Sequence, residues 1–169
     1  MTEEQVKKFQ QLQEERVRTF KKLDDDHKVF LGHAPDYEEG FDDYKKAVNT
    51  CTDKFKEISK EILAIKEKLT EDQNSNKLAS LIGQVQGLEE TKLHTVVDLQ
   101  LARYILQNGI IFFFLVFCCL YRQQAFDNLG DELCQKNADL IKNKLVKLEE
   151  EINETLTEIR YELVDILDR

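Results

Sequence analysis

The three histidines have the widest chemical range in this chain, because imidazole binds metal ions and transfers protons near neutral pH. His27 directly follows the acidic run Asp24-Asp25-Asp26, and carboxylates beside an imidazole can hold a metal ion. The run lacks a second ligand pair one helical turn away, which a helical metal site needs. His27 also falls on the apolar stripe of its helix. We therefore predict no metal site here, and we expect the acidic run at the end of the helix to be exposed to water.

The cysteines indicate reduced thiols rather than a disulfide framework or a zinc site. The chain contains four of them, Cys51, Cys118, Cys119 and Cys134, with no CxxC pair. The adjacent Cys118 and Cys119 cannot easily bind one zinc ion together. Cys51 occupies an apolar position, where cysteine behaves as a small hydrophobic residue. Reduced thiols fit the nucleus or the cytoplasm, and the chain starts without a signal-peptide pattern.

Catalytic motifs are absent from the sequence. It contains no GxGxxG, GxxxxGK[ST], GxSxG or HExxH pattern. Its carboxylates, including Glu149-Glu150-Glu151, are expected on wet helical faces, where nothing would raise a pKa. An aromatic set favours core packing over base stacking, because no basic residues lie between its members: Phe9, Phe20, Phe30, Tyr37, Phe41, Tyr44 and Phe55. We predict no catalytic, cofactor-binding or metal-binding residues, no cofactor and no enzyme activity.

The charge of the chain points towards protein partners. The formal net charge is −9 and the sequence pI is near 4.9. Binding to a phosphate backbone needs a basic face, whereas the basic residues here form only doublets such as Lys7-Lys8 and Lys45-Lys46. We therefore predict no direct contact with nucleic acid and predict protein partners. Whether one of them is a second copy of the chain, bound through a coiled coil, stays open.

The elements that must position these residues are long amphipathic helices. Between Tyr37 and Leu69 the apolar residues fall at alternating spacings of four and three, which keeps one helical stripe facing a partner: Tyr37, Phe41, Tyr44, Val48, Cys51, Phe55, Ile58, Ile62, Ile65 and Leu69. Only one proline and six glycines occur in the chain, which is too few for a sheet protein rich in turns.

Three further helices are predicted around that one. The first spans Thr2 to about Leu31, with Gln13 interrupting its stripe: Val6, Phe9, Val17, Phe20, Leu23, His27 and Phe30. The third carries Leu78, Leu81, Ile82, Val85, Leu88, Val96, Leu99 and Ala102. The last, from about Leu133 to Asp168, carries Ile141, Leu145, Leu148, Ile152, Leu156, Ile159, Leu163 and Ile166.

The short polar connection Thr70–Asn76 turns the third helix back on the second. The predicted fold is all-α, an antiparallel helical hairpin and coiled-coil bundle of three to four long helices.

An apolar block interrupts this pattern. Ile110–Tyr121 is continuously apolar, but it is shorter than the roughly 20 residues of a membrane-spanning helix. Three explanations stay open: a buried element, a shallow membrane contact, or a retained intron. Tyr104–Arg122 can be encoded by a pyrimidine tract with intron-like edges, and its removal keeps the reading frame. The predicted domains are therefore a helical bundle at 1–103, the apolar block at 104–122, and a C-terminal coiled-coil helix at 123–169.

Several segments resemble the "required for excision, part B" domain family. They are Arg16–Phe20, Pro35–Tyr37, Tyr44, Phe55–Ile62, Leu88–Thr95, Leu99–Arg103, Ile152–Leu156 and Arg160–Leu163. The resemblance implies a role in DNA excision repair and implies no catalytic residues. The predicted function is a non-catalytic accessory protein of excision repair that acts through protein contacts in the nucleus, the cytoplasm or both. The alternative is a general coiled-coil scaffold or a membrane-associated tethering subunit, with membrane contact only if the Ile110–Tyr121 block is genuine.

Overall fold

A computed structural model describes residues 2–34, 36–108 and 124–168, and it contains four long helices. These are α1 (Thr2–Leu31), α2 (Tyr37–Thr70), α3 (Asn76–Asn108) and α4 (Gln124–Leu167), with a short 3-10 turn at Gln73–Ser75. No strand occurs in these three ranges. The all-α prediction is confirmed. The last helix begins earlier than the predicted Leu133, and the third continues beyond Ala102.

Local interactions explain where α1 ends and where α3 begins. Gly32 closes α1, where its amide donates to the carbonyls of Lys28 and Val29, both at 3.0 Å. Asp72 organises the turn before α3, because its carboxylate accepts from the amide of Asn74 at 3.1 Å and from the hydroxyl of Ser75 at 2.9 Å. Such a tight link reverses the chain, so α2 and α3 form the predicted antiparallel hairpin.

Gly40 lies inside α2, although glycine usually weakens a helix. The imidazole of His33 lies directly against it, and a Cβ at this position would come within 2.5 Å of His33 Cδ2. The missing side chain lets the turn after α1 approach the first turns of α2.

One end of the bundle, called the closed end below, packs all four helices around an aliphatic core. Its fully buried members include Val6 of α1, Ile62 of α2, and Ile82 and Val85 of α3, each 0 % exposed. Ile152 and Ile159 of α4 complete this core. The part of the predicted α4 stripe from Ile152 onwards is thus packed against the core of the same chain.

The predicted stripe of α1 was wrong at its centre. Val17 was expected to be buried, yet it is 60 % exposed, whereas Gln13 does not interrupt the stripe and is only 7 % exposed. Arg16 and Thr19 are also buried on this face. Hydrophobic spacing could not find them, because polar side chains take the inward positions of the middle turns.

The predictions for the apolar block lie largely outside the described residues. Tyr104–Asn108 continue α3, while residues 109–123, including Cys118 and Cys119, belong to the part of the chain not described. None of the helices of the described residues is long and apolar enough to cross a membrane. The retained-intron explanation, the membrane contact and the domain limits stay predictions.

Candidate functional site

An aromatic groove lies at the opposite end of the bundle from the closed end. There the last turns of α1 and α3 meet the first turns of α2 around a space of about 550 Å³. The lining residues come from all three helices: His27, Phe30, Tyr37, Glu38, Phe41, Asp42, Tyr44, Val97, Gln100, Leu101 and Tyr104. Most of the predicted aromatic set from this part of the sequence converges here.

Ring contacts hold the inner wall of the aromatic groove. Phe30 stacks on Tyr44 with ring centroids 4.7 Å apart and on Tyr104 at 5.8 Å. Tyr37 meets Tyr104 edge-on at 5.2 Å. Aromatic pairs at these separations attract one another beyond their buried area, so the three helices are joined through Phe30.

The outer wall of the groove is apolar and exposed to solvent. Phe41 and Val97 are each 53 % exposed, and Leu101 is 57 % exposed. The prediction that all the aromatic residues of the set form core was therefore wrong for Phe41. Val97 and Leu101 are four residues apart on α3, so they lie on one face and form a ridge beside Phe41.

Acidic residues line the rim. The first turns of α2 and the residue before them carry five exposed carboxylates, Asp36, Glu38, Glu39, Asp42 and Asp43. Glu38 and Asp42 line the groove itself. Negative charge is favourable at a helix N-terminus, where the backbone dipole is positive. The groove thus joins an apolar wall to an acidic edge.

Three polar side chains of α3 fix the distance between α3 and α1 beneath the groove. Gln100 donates to the Leu23 carbonyl at 3.2 Å, and Gln107 donates to the Leu31 carbonyl at 2.8 Å. Between them Arg103 pairs with Asp24 at 2.7 Å. Positions 100, 103 and 107 share one helical face. Their spacing can be read from the sequence, but a search for apolar periodicity does not find it because all three residues are polar.

His27 lies on the groove floor, where its imidazole is buried. It is 2 % exposed, and its ring centroid lies 5.6 Å from that of Tyr44. Burial lowers the pKa of His27, the positive charge of Arg103 lowers it further, and Asp24 opposes both. Its Nδ1 atom has no hydrogen-bond partner among the described residues. The sequence placed His27 correctly on the apolar stripe.

The acidic run before His27 is engaged in ion pairs. Lys28 contacts Asp24 at 2.6 Å and Asp25 at 3.3 Å, while Lys22 contacts Asp26 at 2.8 Å. In the described part of the chain, no group of three or more His, Cys, Asp or Glu side chains is arranged to hold a metal ion.

A second polar region, the buried polar cluster, lies between the groove and the closed end. Arg16 of α1 donates to Ser59 Oγ at 3.2 Å and to Gln86 Oε1 at 2.8 Å. Gln86 in turn donates to Ser59 at 3.1 Å, so α1, α2 and α3 are joined by one closed set of bonds. Arg16 is 2 % exposed, and burial lowers its pKa while the charge of Glu89 opposes that change.

Glu89 of α3 extends the buried polar cluster and corrects a prediction. We expected the carboxylates on wet helical faces, yet Glu89 is 5 % exposed. Burial raises its pKa, Lys92 and Arg16 oppose this, and Glu149 adds to it. Glu89 and Gln13 line a cleft of about 540 Å³ between α1, α3 and α4. Glu89 Oε2 and Gln13 Nε2 find no hydrogen-bond partner in the described chain.

Lys92 also lines this cleft. Its ammonium group lies 3.1 Å from Glu149 of α4 and 4.7 Å from the centre of the Phe20 ring. Glu149 is thus paired with α3, and all three residues of the run Glu149-Glu150-Glu151 are exposed as the sequence predicted. Position in the sequence could not separate Glu89 from its exposed neighbour Glu90, because both follow the same acidic pattern.

The remaining candidate residues take separate positions. Cys51 is 2 % exposed, and burial raises the pKa of its thiol; Cys134, the other described cysteine, is also a free thiol. His94 is exposed on α3, and His33 packs on Gly40. Among the described residues, the predicted His and Cys candidates do not come together in one site; Cys118 and Cys119 lie outside these residues.

Comparison with known proteins gives the family. The sequence profile described as DNA repair REX1-B matches residues 4–103. The chain belongs to the DNA repair REX1-B family. The match covers α1, α2 and most of α3, which include the buried polar cluster and much of the groove. The REX1-B match ends one residue before Tyr104.

Two curated proteins share this region, and both are named "Required for excision 1-B domain-containing protein". The one from Bos taurus is 38 % identical over 98 residues, which cover 58 % of this chain and 53 % of that protein. The one from Mus musculus is 36 % identical over 95 residues, covering 56 % and 55 %. The chain spans about half the length of these REX1-B relatives. No solved structure matches it.

Proposed function

We propose that this chain is a non-catalytic accessory protein of DNA excision repair that acts by binding a protein partner. The observation that carries the proposal is the aromatic groove, an apolar surface beside Phe41, Val97 and Leu101 that the described residues leave exposed. Membership of the DNA repair REX1-B family supports the repair context. Exposed apolar patches beside polar rims are typical of protein interaction sites.

The charge of the groove supports a protein rather than a nucleic acid as the bound molecule. Glu38 and Asp42 line it, and the whole chain carries a formal net charge of −9. Phosphate groups would be repelled from this rim, because phosphate recognition depends on Lys and Arg side chains. Stacking of bases on the exposed ring would have to overcome that repulsion.

The hydrogen bonds beneath the groove support a role in holding a binding surface in place. Tyr44 donates to Gln100 at 3.1 Å, Gln100 donates to the backbone of α1, and Arg103 pairs with Asp24. These three groups are occupied in joining helices, so the groove presents mainly its apolar wall and its acidic rim to a bound molecule.

Removal of ultraviolet photoproducts in cells tests the proposal. Cells that lack the protein should remove photoproducts more slowly, and the wild-type chain should restore the rate. The Val97→Lys variant should fail to restore it, because a charge is placed on the outer wall of the groove. Val164→Lys is the matched control, since Val164 is also 53 % exposed but lies on α4 at the closed end. A normal removal rate in cells without the protein would contradict the repair role.

A further inference from the structure

We infer that the aromatic groove binds a basic amphipathic helix of its protein partner, with apolar side chains against Phe41, Val97 and Leu101 and with Lys or Arg side chains facing Glu38 and Asp42. The inference rests on the proposed function in one respect, namely that the chain acts through protein contacts. It adds the secondary structure, the charge and the orientation of the bound segment.

The architecture favours a helix over an extended peptide. Extended peptides usually bind by adding a strand to the edge of a sheet, and the described ranges of this chain contain only helices. Helical ligands place apolar residues of one face into a groove between helices.

The apolar wall supplies the contact area for such a helix. Val97 and Leu101 are four residues apart on α3, and Phe41 of α2 stands across from them. Residues four apart form the ridges that pack into the grooves of a neighbouring helix. All three side chains are more than half exposed, so an apolar ligand face would remove them from water.

The acidic rim determines the sign of the charge that the ligand should carry. Glu38 and Asp42 are four residues apart on α2, so both carboxylates lie along the same edge of the groove. The exposed Asp36, Glu39 and Asp43 add negative charge nearby, and Lys46 lies 3.0 Å from Asp43. Positive side chains on the polar face of the ligand would meet this edge, whereas acidic ones would be repelled.

Binding of two designed peptides to the full chain tests the inference. One is a helical peptide of about 18 residues with leucine on one face and lysine on the other, and its matched counterpart carries glutamate in place of lysine. Isothermal titration calorimetry should detect the leucine–lysine peptide and not the leucine–glutamate peptide. Equal binding of both peptides, or binding of neither, would overturn the inference.

Two pairs of variants locate the binding. Val97→Lys should weaken the leucine–lysine peptide by about tenfold or more, because it places a buried charge against the apolar face. Val164→Lys adds the same charge at an equally exposed valine of α4 and should change affinity by less than about twofold. Equal losses in both variants would show that binding is a general charge effect and would overturn the inference.

The second pair removes charge instead of adding it. Glu38→Gln with Asp42→Asn should weaken the leucine–lysine peptide more than Glu150→Gln with Glu154→Gln does. Each of these two double variants removes two exposed carboxylates that lie four residues apart, but Glu150 and Glu154 lie on α4. The difference should shrink as the salt concentration rises above about 0.1 M, where charges more than about 10 Å apart are screened.

The stability of Val97→Lys separates this inference from competing explanations. The variant should unfold at nearly the same denaturant concentration as the wild type, because Val97 is exposed. A large loss of stability without any peptide binding would show that the groove is covered within the chain, and it would overturn the inference. If peptide binding behaves as expected while photoproduct removal is normal without the protein, only the proposed repair role fails.

Discussion

The closed end and the aromatic groove are built from the same three helices, yet they differ in packing. At the closed end, branched aliphatic side chains interdigitate and α4 covers the fourth side, so Ile62 and Ile82 are completely buried. At the groove, large flat rings meet one another, none of the described α4 side chains lines the space, and Phe41 stays half exposed. Shared helices can therefore form a core at one end and a binding surface at the other.

The buried polar cluster separates these two ends. Arg16, Ser59 and Gln86 make bonds that depend on direction, whereas aliphatic contacts tolerate sliding of one helix along another. We interpret the cluster as the feature that fixes the register of α1, α2 and α3. A fixed register at this level places Tyr37, Tyr44 and Tyr104 at the height of Phe30.

The largest expected effect distinguishes the closed end from the groove. Ile62→Ala should lower the free energy of unfolding by about 3 kcal/mol, because it leaves a cavity in a filled core. Phe41→Ala should lower it by less than about 1 kcal/mol, since the ring is half exposed, although it removes more atoms. Urea denaturation followed by circular dichroism measures both. A larger cost for Phe41→Ala would mean that the groove is a second core.

An effect of similar or smaller size tests the buried polar cluster. Arg16→Met should lower the free energy of unfolding by about 2–3 kcal/mol, because Glu89 loses a nearby positive charge. Adding Glu89→Gln should restore part of the loss, which a double-mutant cycle would report as coupling of about 1 kcal/mol. Strict additivity of the two changes would contradict the electrostatic coupling.

The pH dependence of Arg16→Met has a definite sign. The folded pKa of Glu89 is raised, so the folded state holds its proton more tightly than the unfolded state. Its contribution to stability is therefore greatest below the unfolded pKa of about 4.3 and decreases as the pH rises through the folded pKa. Loss of Arg16 raises the pKa of Glu89 further. The difference in unfolding free energy between Arg16→Met and wild type should therefore become smaller as the pH falls from about 7 to about 5.

The smallest expected effect concerns the floor of the groove. Because burial lowers the folded pKa of His27, its stabilising contribution is complete above the unfolded pKa of about 6.5 and is lost as the pH falls through the folded pKa. We expect a loss on the order of 1 kcal/mol between about pH 7 and pH 5. Unfolding curves at several pH values should show that the difference in unfolding free energy between His27→Gln and wild type changes by this amount over that range, whereas the difference between the exposed control His94→Gln and wild type stays constant. A constant difference between His27→Gln and wild type would contradict the assignment.

Helix positions were predictable because they depend on local periodicity. The continuous stripe from Tyr37 to Leu69 and the polar link after it correctly indicated α2 and the reversal into α3. The stripe of α4 was also predictable, since Ile152 and Ile159 are both buried. The middle of α1 was not, because its inward positions hold the polar residues Gln13 and Arg16. Arg16 bonds to Ser59 and Gln86, which are 43 and 70 residues away in the chain.

The candidate site was predictable in composition but not in form. The sequence correctly identified the aromatic residues and correctly placed His27 on an inward face. It also predicted that every aromatic ring of the set belongs to the core, which is wrong for Phe41. Whether a ring is covered depends on how many helices surround it, and the described side chains of α4 do not line the groove. Phe41 and Phe55 share one stripe, yet they are 53 % and 7 % exposed.

The amino-acid sequence alone determined the helical class, the approximate limits of α1 and α2, the acidic charge and the resemblance to the excision family, because these depend on local pattern and composition. Only the tertiary structure decided which polar residues are buried, which apolar residues face water, and that Phe41, Val97 and Leu101 share one groove. Those properties arise from contacts between helices that are distant in the chain, and a single-helix periodicity carries no information about the partner across the interface.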